Sequence, residues 1–385
     1  MKILYFNTFY YPYGNGGAER SLQVMVEELA LNGCQCTIVC CSDNDEYRRI
    51  NNVDIYYVNV NPFFNSSSKL KKILFHAIDY FNVYAFIKMI FLVKRINPQI
   101  INYNNIFGFS PSILLLKKIF RVKTVITLRD YYHMCCKSSL FHRGCDNKQG
   151  VVCKCFTLLR RFLLNSNIDT VVANSNKTMS IFLESGYFKN KEIEKIVIYN
   201  GFDMDNIKRE KPFNWNQTLN IGFFGKVCTE KGFDVFMEAT KDLDANMYIA
   251  GKWASQSFDF NNLEENYHYL NYTTPNYFFN KIDILIVPSL WHDPLPRTVF
   301  EAMSYGVPVV ASNMGGIPEA ITSGGGWLFN PKLTNELKNI LINITNHVYD
   351  LKSISSLSVV ESNRFNKRNT FLNYYSLYKK LLGVR

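Results

Sequence analysis

A chain of 385 residues with 47% apolar and 15% aromatic content has material for two hydrophobic cores and is too apolar to be disordered. Its 43 Lys and Arg against 32 Asp and Glu leave a formal charge of +11, which suits an anionic partner: nucleic acid, an acidic membrane surface or a phosphorylated ligand. The opening MKILYFNTFYYPYG has no leader-like apolar core, no stretch reaches the roughly 18–20 uninterrupted apolar residues of a membrane span, and the ten cysteines are then expected as reduced cytoplasmic thiols.

KILYFN (Lys2–Asn7) reads as a buried strand, and GGAERSLQVMVEELALNG (Gly16–Gly33) as the helix after it, with apolar residues at helical spacing. CTIVCC, VDIYYVNV, QIINYN, TVITLRD, TVVANS and KIVIYNG continue a strand series interleaved with helical patterns. The polar segment Asp203–Thr218 separates them from LNIGFFG, NMYIAG, DILIVPS and VPVVAS, again with helices between, and the chain closes in a helix over roughly Phe365–Leu382. Strands alternating with helices imply parallel sheets. The expected architecture is α/β: two doubly wound, Rossmann-like domains with a cleft between them, over residues 1–202 and 217–364, and a terminal helix over 365–385 packing back on the first.

Ligands of such sheets bind outside the carboxyl ends of the strands, so residues just after each strand carry the weight. Gly14, Gly16 and Gly17 follow the first strand and lead into a helix, where backbone N–H groups can approach an anion; a tight turn without a ligand is the other reading. This is not the dinucleotide fingerprint, because Glu19 stands where a third glycine belongs. In the second half, Gly225 ends a strand, Lys226 follows, and Lys231 with Gly232 precedes a helix, so two ammonium groups are placed to neutralise a diphosphate. WHDPLPRTVFEAMSYG then carries Asp293 on a proline-broken loop and Glu301 about one turn inside a helix. Two acids flanking a helix N-terminus can hold hydroxyls on both sides of an anion, which describes a nucleotide sugar.

Taken together, the acid pair separated by seven residues, EAMSYGVPVVASNMGGIPEAI, FFGKVCTEKGFD, NGFD and GGAER resemble the retaining glycosyltransferases of family 4, with the GT-B fold, from Met1 to about residue 380. The resemblance implies a nucleotide-diphosphate sugar as donor substrate, no cofactor and no catalytic metal. It implies that Glu301 holds ribose hydroxyls, Asp293 the donor sugar, and Lys226 and Lys231 the diphosphate, with Gly225 beside them. Backbone N–H groups around Leu295, Pro296, Arg297 and Thr298 would support sugar and phosphate. Gly16 and Gly17, from the other domain, would face the donor phosphate or the acceptor. The family usually has glutamate at position 293 and arginine at 226, and often a His-Asp pair where this chain has Arg129–Asp130; Arg129 is no base, but can anchor an anionic group.

A loop holds Cys135, Cys136, Cys145, Cys153 and Cys155; of these Cys136, Cys145, Cys153 and Cys155 offer four thiolates for a structural zinc, with free thiols as the alternative. Lys69–Arg95 joins cationic ends to an apolar middle, as a helix lying on an anionic bilayer would, or as a core helix with solvated ends. The function expected is hexose transfer from a nucleotide sugar to a glycan acceptor, lipid-linked, with retention of configuration, in bacterial O-antigen or capsule synthesis, by a cytoplasmic enzyme peripheral on the inner membrane face. The alternative is a non-catalytic GT-B homologue acting as a binding partner in a glycan assembly complex. Dispersed basic residues argue against nucleic acid as the partner.

Overall fold

The computed structural model describes every residue except 15, 63–67, 143, 144, 146, 206, 208, 211, 212, 214–216, 254–263 and 385. Much of the expected linker, Asp203–Thr218, lies outside the described residues, as does the side chain of Lys69. The chain divides into two compact units, Met1–Gly201 with Lys367–Arg385, and Phe202–Asn366.

Unit 1 runs β1 (Lys2–Phe6), α1 (Gly17–Leu31), β2 (Gln35–Cys41), β3 (Glu46–Ile50), β4 (Val53–Val58), α2 (Lys69–Tyr80), α3 (Val83–Ile96), β5 (Ile100–Tyr103), α4 (Leu116–Phe120), β6 (Lys123–Leu128), α5 (Val151–Phe156), α6 (Leu158–Asn167), β7 (Thr170–Ala173), α7 (Asn176–Glu184) and β8 (Glu194–Val197). The sheet order is β3-β4-β2-β1-β5-β6-β7-β8. All neighbours pair in parallel except β3 and β4. That antiparallel edge departs from the expected all-parallel sheet. Its cause is local: Asn51 and Asn52 both take positive φ, 49° and 63°, the two-residue turn that closes a hairpin.

Unit 2 runs β9 (Asn220–Phe224), α8 (Phe233–Thr240), β10 (Asn246–Ala250), β11 (Tyr267–Tyr269), α9 (Pro275–Phe279), β12 (Ile284–Val287), α10 (Arg297–Ser304), β13 (Val309–Ser312), β14 (Gly326–Phe329), α11 (Thr334–Thr345) and α12 (Leu351–Ser362). Its six strands are all parallel, in the order β11-β10-β9-β12-β13-β14. The fully buried runs of β12 and β13 are what a sheet covered on both faces requires. The last helix, α13 (Lys367–Leu382), returns to unit 1 and packs on α1. There it buries Tyr374, Leu377 and Tyr378 in the same core as Tyr5, Leu22 and Ile38, and Asn102 Nδ2 donates to Tyr378 Oη at 2.7 Å.

Lys69–Arg95 is not one helix. It breaks at Phe81–Asn82 into α2 and α3, bent by 53°. Asn82 caps α3 by accepting from the Ala85 N–H at 2.8 Å, and its amide donates to Val60 O at 2.7 Å. Three residues earlier, Asp79 turns inward to a fully buried network. It accepts from Arg160 Nη2, Tyr132 Oη and the Gly108 N–H, each at 2.8 Å, while Arg160 also donates to Tyr132 O and stacks over the Tyr132 ring at 4.1 Å. Burial pushes the Asp79 carboxyl up to about 6, with Arg160 pulling the other way. Removing one partner of such a pair strands the other charge in the core. Asp79→Ala should therefore destabilise the protein by about 3–5 kcal/mol in denaturant unfolding; a loss below about 1 kcal/mol, the range of an exposed pair, would mean the pair is solvated in solution.

Candidate active site

In unit 2 the residues expected to hold the donor lie around the carboxyl ends of β9, β12 and β13. A short turn, Thr229–Lys231, follows β9 and docks on the loop after β12, where the Leu290 N–H donates to Glu230 O at 3.0 Å. Gly232 ends that turn at φ +72°, and a Cβ there would stand 1.8 Å from Pro288 O, so only glycine permits the approach. The docking brings Lys231 Nζ into hydrogen-bonded contact with Asp293 Oδ2 and 5.3 Å from the centre of the Trp291 ring. Asp293 is buried, and the turn after β13 fixes its backbone: the Gly316 N–H donates to Asp293 O at 2.8 Å. Gly315, at φ +58°, donates to His292 Nδ1 at 3.2 Å, and a Cβ there would lie 2.1 Å from Asp293 O.

Glu301 is buried on α10, where Arg297, one turn earlier, donates through Nε to its Oε1 at 2.9 Å. Arg297 was expected to contribute only a backbone N–H; its guanidinium instead pairs with the second acid of the site, and its Nη1 is buried without a partner. Pro296 corrects another expectation. It caps α10 in extended conformation (φ −71°, ψ 122°) but has no N–H to donate, so the donors at this helix start are Leu295, Arg297 and Thr298. Among the described residues no side chain caps that end. Gly225 prolongs β9 through its N–H to Ala250 O at 2.9 Å, and Lys226 beside it is exposed. Two further groups escaped the sequence reading: the hydroxyls of Ser289, just past β12, and Ser312, the last residue of β13, are buried without a partner. A serine ending an apolar strand is the only signal that could have flagged them.

In unit 1, Gly16, Gly17, Arg129 and Asp130 form a second strand-end cluster. Arg129 donates through Nε to Asn200 Oδ1 at 3.0 Å and through Nη1 to Asn104 Oδ1. Asp130 accepts from Asn105 Nδ2 at 2.6 Å and from the Tyr132 N–H at 2.8 Å. Burial lifts the Asp130 carboxyl to about 6; the Tyr132 N–H lowers it and the charge of Glu19 raises it further. Glu19 was read only as a missing glycine. It turns back on its own helix start, taking the Gly16 N–H, with Oε2 2.2 Å from where a Gly16 Cβ would be. Its carboxyl is raised by burial and lowered by those backbone donors and by Arg129. Gly16, expected with Gly17 to face the donor phosphate or the acceptor, thus has the Glu19 carboxylate against it.

The cysteine set also changes. Cys153 is buried whereas Cys155 is exposed, because both lie on α5 and two residues of helix turn a side chain by about 200°. Cys135, Cys136, His142 and Cys153 come together instead, with Cys145 Sγ 3.1 Å from His142 Nε2.

The family model described as Glycosyltransferase Family 4 matches residues 15–206, and that described as Glycosyl transferases group 1 matches residues 218–347. An uncharacterized 42.6 kDa protein in the cps region of Klebsiella pneumoniae is 30% identical over 334 residues, covering 83% of this chain and 87% of that one. The lipopolysaccharide core biosynthesis mannosyltransferase LpsB of Rhizobium meliloti is 24% identical over 188 residues, 43% of this chain and 50% of that one. Among solved structures, Anabaena HepE in complex with UDP and glucose superposes with a TM-score of 0.72 at 18% identity, over 99% of this chain and 100% of that one, a likeness that shows the GT-B fold.

Proposed function

As the chain belongs to glycosyltransferase family 4, we propose that it moves a hexose from a nucleotide-diphosphate sugar to a lipid-linked glycan acceptor, with retention of configuration and without a catalytic metal, in capsule or O-antigen synthesis. The observation that carries this reading is the unit 2 constellation: Lys231 held on Asp293, Glu301 on α10, and an uncapped helix start beside them. A diphosphate takes the ammonium of Lys231 and the N–H groups at the start of α10, with Lys226 as the second cation. Glu301 accepts from ribose hydroxyls, and Asp293 from hydroxyls of the sugar. The unpartnered hydroxyls of Ser289 and Ser312 offer donors at the same strand ends.

The bond from the anomeric carbon to the diphosphate oxygen breaks as the acceptor oxygen bonds to that carbon on the same face. The acceptor's proton passes to the departing diphosphate, whose charge the two lysines stabilise. Both acids already have hydroxyl-binding roles, so neither serves as the nucleophile of a covalent intermediate. Two relatives support the glycan class: one is a protein in a cps region and another is named for lipopolysaccharide core biosynthesis.

Attachment to the inner face of the cytoplasmic membrane is part of the same reading. No single described helix is long and apolar enough to cross a membrane; the bent pair α2–α3 passes only on length and composition. One side of that pair is anchored in unit 1 through Phe75, Ala85, Met89 and Val93. The other exposes Leu70, Ile73, Ile87 and Phe91, with Lys71, Lys72, Lys94 and Arg95 at its ends. An apolar face rimmed by cations suits docking on anionic lipid.

Lys226→Ala and Lys231→Ala should each weaken binding of the nucleoside diphosphate by about 1.5–3 kcal/mol in calorimetry; wild-type affinity in both variants would reject the diphosphate assignment. Replacing Lys71, Lys72, Lys94 and Arg95 by Gln should release the protein from anionic vesicles, at about 1 kcal/mol per charge near the surface. If wild type does not sediment with such vesicles at moderate salt, the peripheral attachment is wrong.

A further inference from the structure

Between β6 and α5 the chain runs for over twenty residues, and among those described, Arg129–Gly150 contains neither strand nor α-helix. Loops beyond about 12–15 residues without secondary structure are uncommon in compact domains. This one is not a surface excursion: Tyr131, Met134 and Cys135 within it are fully buried. Few of its backbone groups are tied in a ladder, so something else must fix it.

We propose that unit 1 binds one structural zinc ion here, through Cys135, Cys136, His142 and Cys153. Their ligand atoms all lie within 4.8 Å of one another. Cys136 Sγ and Cys153 Sγ are 3.9 Å apart, Cys153 Sγ and His142 Nε2 3.8 Å, and Cys135 Sγ and His142 Nε2 3.3 Å. Zinc bonds of about 2.3 Å to sulfur and 2.0–2.1 Å to nitrogen, in a tetrahedron, set ligand-to-ligand edges at about 3.5–3.8 Å. A disulfide would need sulfurs at about 2.05 Å. The spacing therefore fits a shared ion between the thiols. Three thiolates and an imidazole are a closed structural zinc set, with no position left for a substrate.

The backbone supports the same assignment. The Lys137 N–H points at Cys135 Sγ at 3.4 Å, two residues on from the thiol. Metal ligands are held and tuned by such outer contacts. The ligands come from three places along the chain: the turn at Tyr131–Cys135, the turn at His142–Cys145, and α5, with Gln149 Nε2 also linking Met134 O and Thr157 Oγ1 at 2.9 and 2.8 Å. Cys145, 3.8 Å from Cys153 Sγ, stands beside the set as a fourth thiol and a fifth candidate ligand, one more than a tetrahedral ion accepts. The ion would brace the chain that leaves Arg129 and Asp130, since the Tyr131 N–H closes the first turn on Ser138 O.

The test is metal content of protein purified without chelator and without added metal, read by plasma mass spectrometry. About one zinc per chain is expected, released by a mercurial thiol reagent and not by gel filtration. Cobalt exchanged into the protein should give the visible bands of a tetrahedral thiolate site. Cys155→Ser and Cys145→Ser should keep the metal, whereas Cys136→Ser should lose it along with thermal stability. Because that variant can fail to fold for other reasons, the wild-type protein decides: less than about one-tenth equivalent of zinc after dialysis against zinc, with no cobalt spectrum, overturns the proposal. Loss of zinc in Cys145→Ser overturns the ligand set. Each readout is independent of transferase activity, so failure here leaves the donor-site reading standing, and failure there leaves this one.

Discussion

Lys231 against Asp293 is the contact around which unit 2 is arranged. A buried carboxylate is costly unless a cation or several donors hold it, and Asp293 has been given the ammonium of a residue sixty-two positions earlier. Bringing the two together requires the turn after β9 to touch the chain after β12, which Gly232 allows, and the turn after β13 to close under Asp293, which Gly315 allows. Three neighbouring strand ends are thereby locked into one polar site. The charge balance also has a functional consequence. The lysine stays partly exposed while its acid does not, so in the proposed reading this ammonium is the one that would meet a diphosphate. Glu301 repeats the arrangement one helix away, with Arg297 as its partner.

Unit 1 solves a different problem. Its parallel strands end in amides and charges where an apolar sheet would leave backbone groups bare: Asn7 after β1, Asn104 and Asn105 after β5, Arg129 and Asp130 after β6, Asn174 after β7 and Asn200 after β8. Most of these are buried, and they bond chiefly to one another and to backbone. The result is a rigid polar floor rather than a charged basin. Glu19 closes it at the start of α1, where it satisfies the helix N-terminus that an anion would otherwise seek. The two units thus treat helix starts in opposite ways: α1 is filled by its own side chain, and α10 is left open.

What the sequence made legible follows from spacing. The alternation of strands and helices, the placement of Lys231 and of Asp293 each just after a strand, and Glu301 within α10 all come from apolar runs punctuated by Gly and Pro. The Arg297–Glu301 pair was legible too, since residues four apart share a helix face, but the arginine was assigned through its backbone. What stayed hidden depends on side chains meeting across the fold. The run Lys69–Arg95 has the composition of one long helix, and only the burial of Asp79 on Arg160 and the cap by Asn82 break it. Cys153 and Cys155 look like a metal pair in sequence, and a helix separates them. His142 lies in the same loop as the thiols in sequence, but its place among them is set by a turn, not by a motif.

The central claim is that these strand ends hold a nucleotide sugar for displacement on one face, with the departing diphosphate as the base. Proton NMR of the product's anomeric centre, followed from the first turnover with a donor of known configuration, tests it most directly. The account predicts the donor's configuration in the product, formed at the same rate with EDTA present. An inverted anomeric centre would contradict both the displacement and the roles given to Lys231, Asp293 and Glu301.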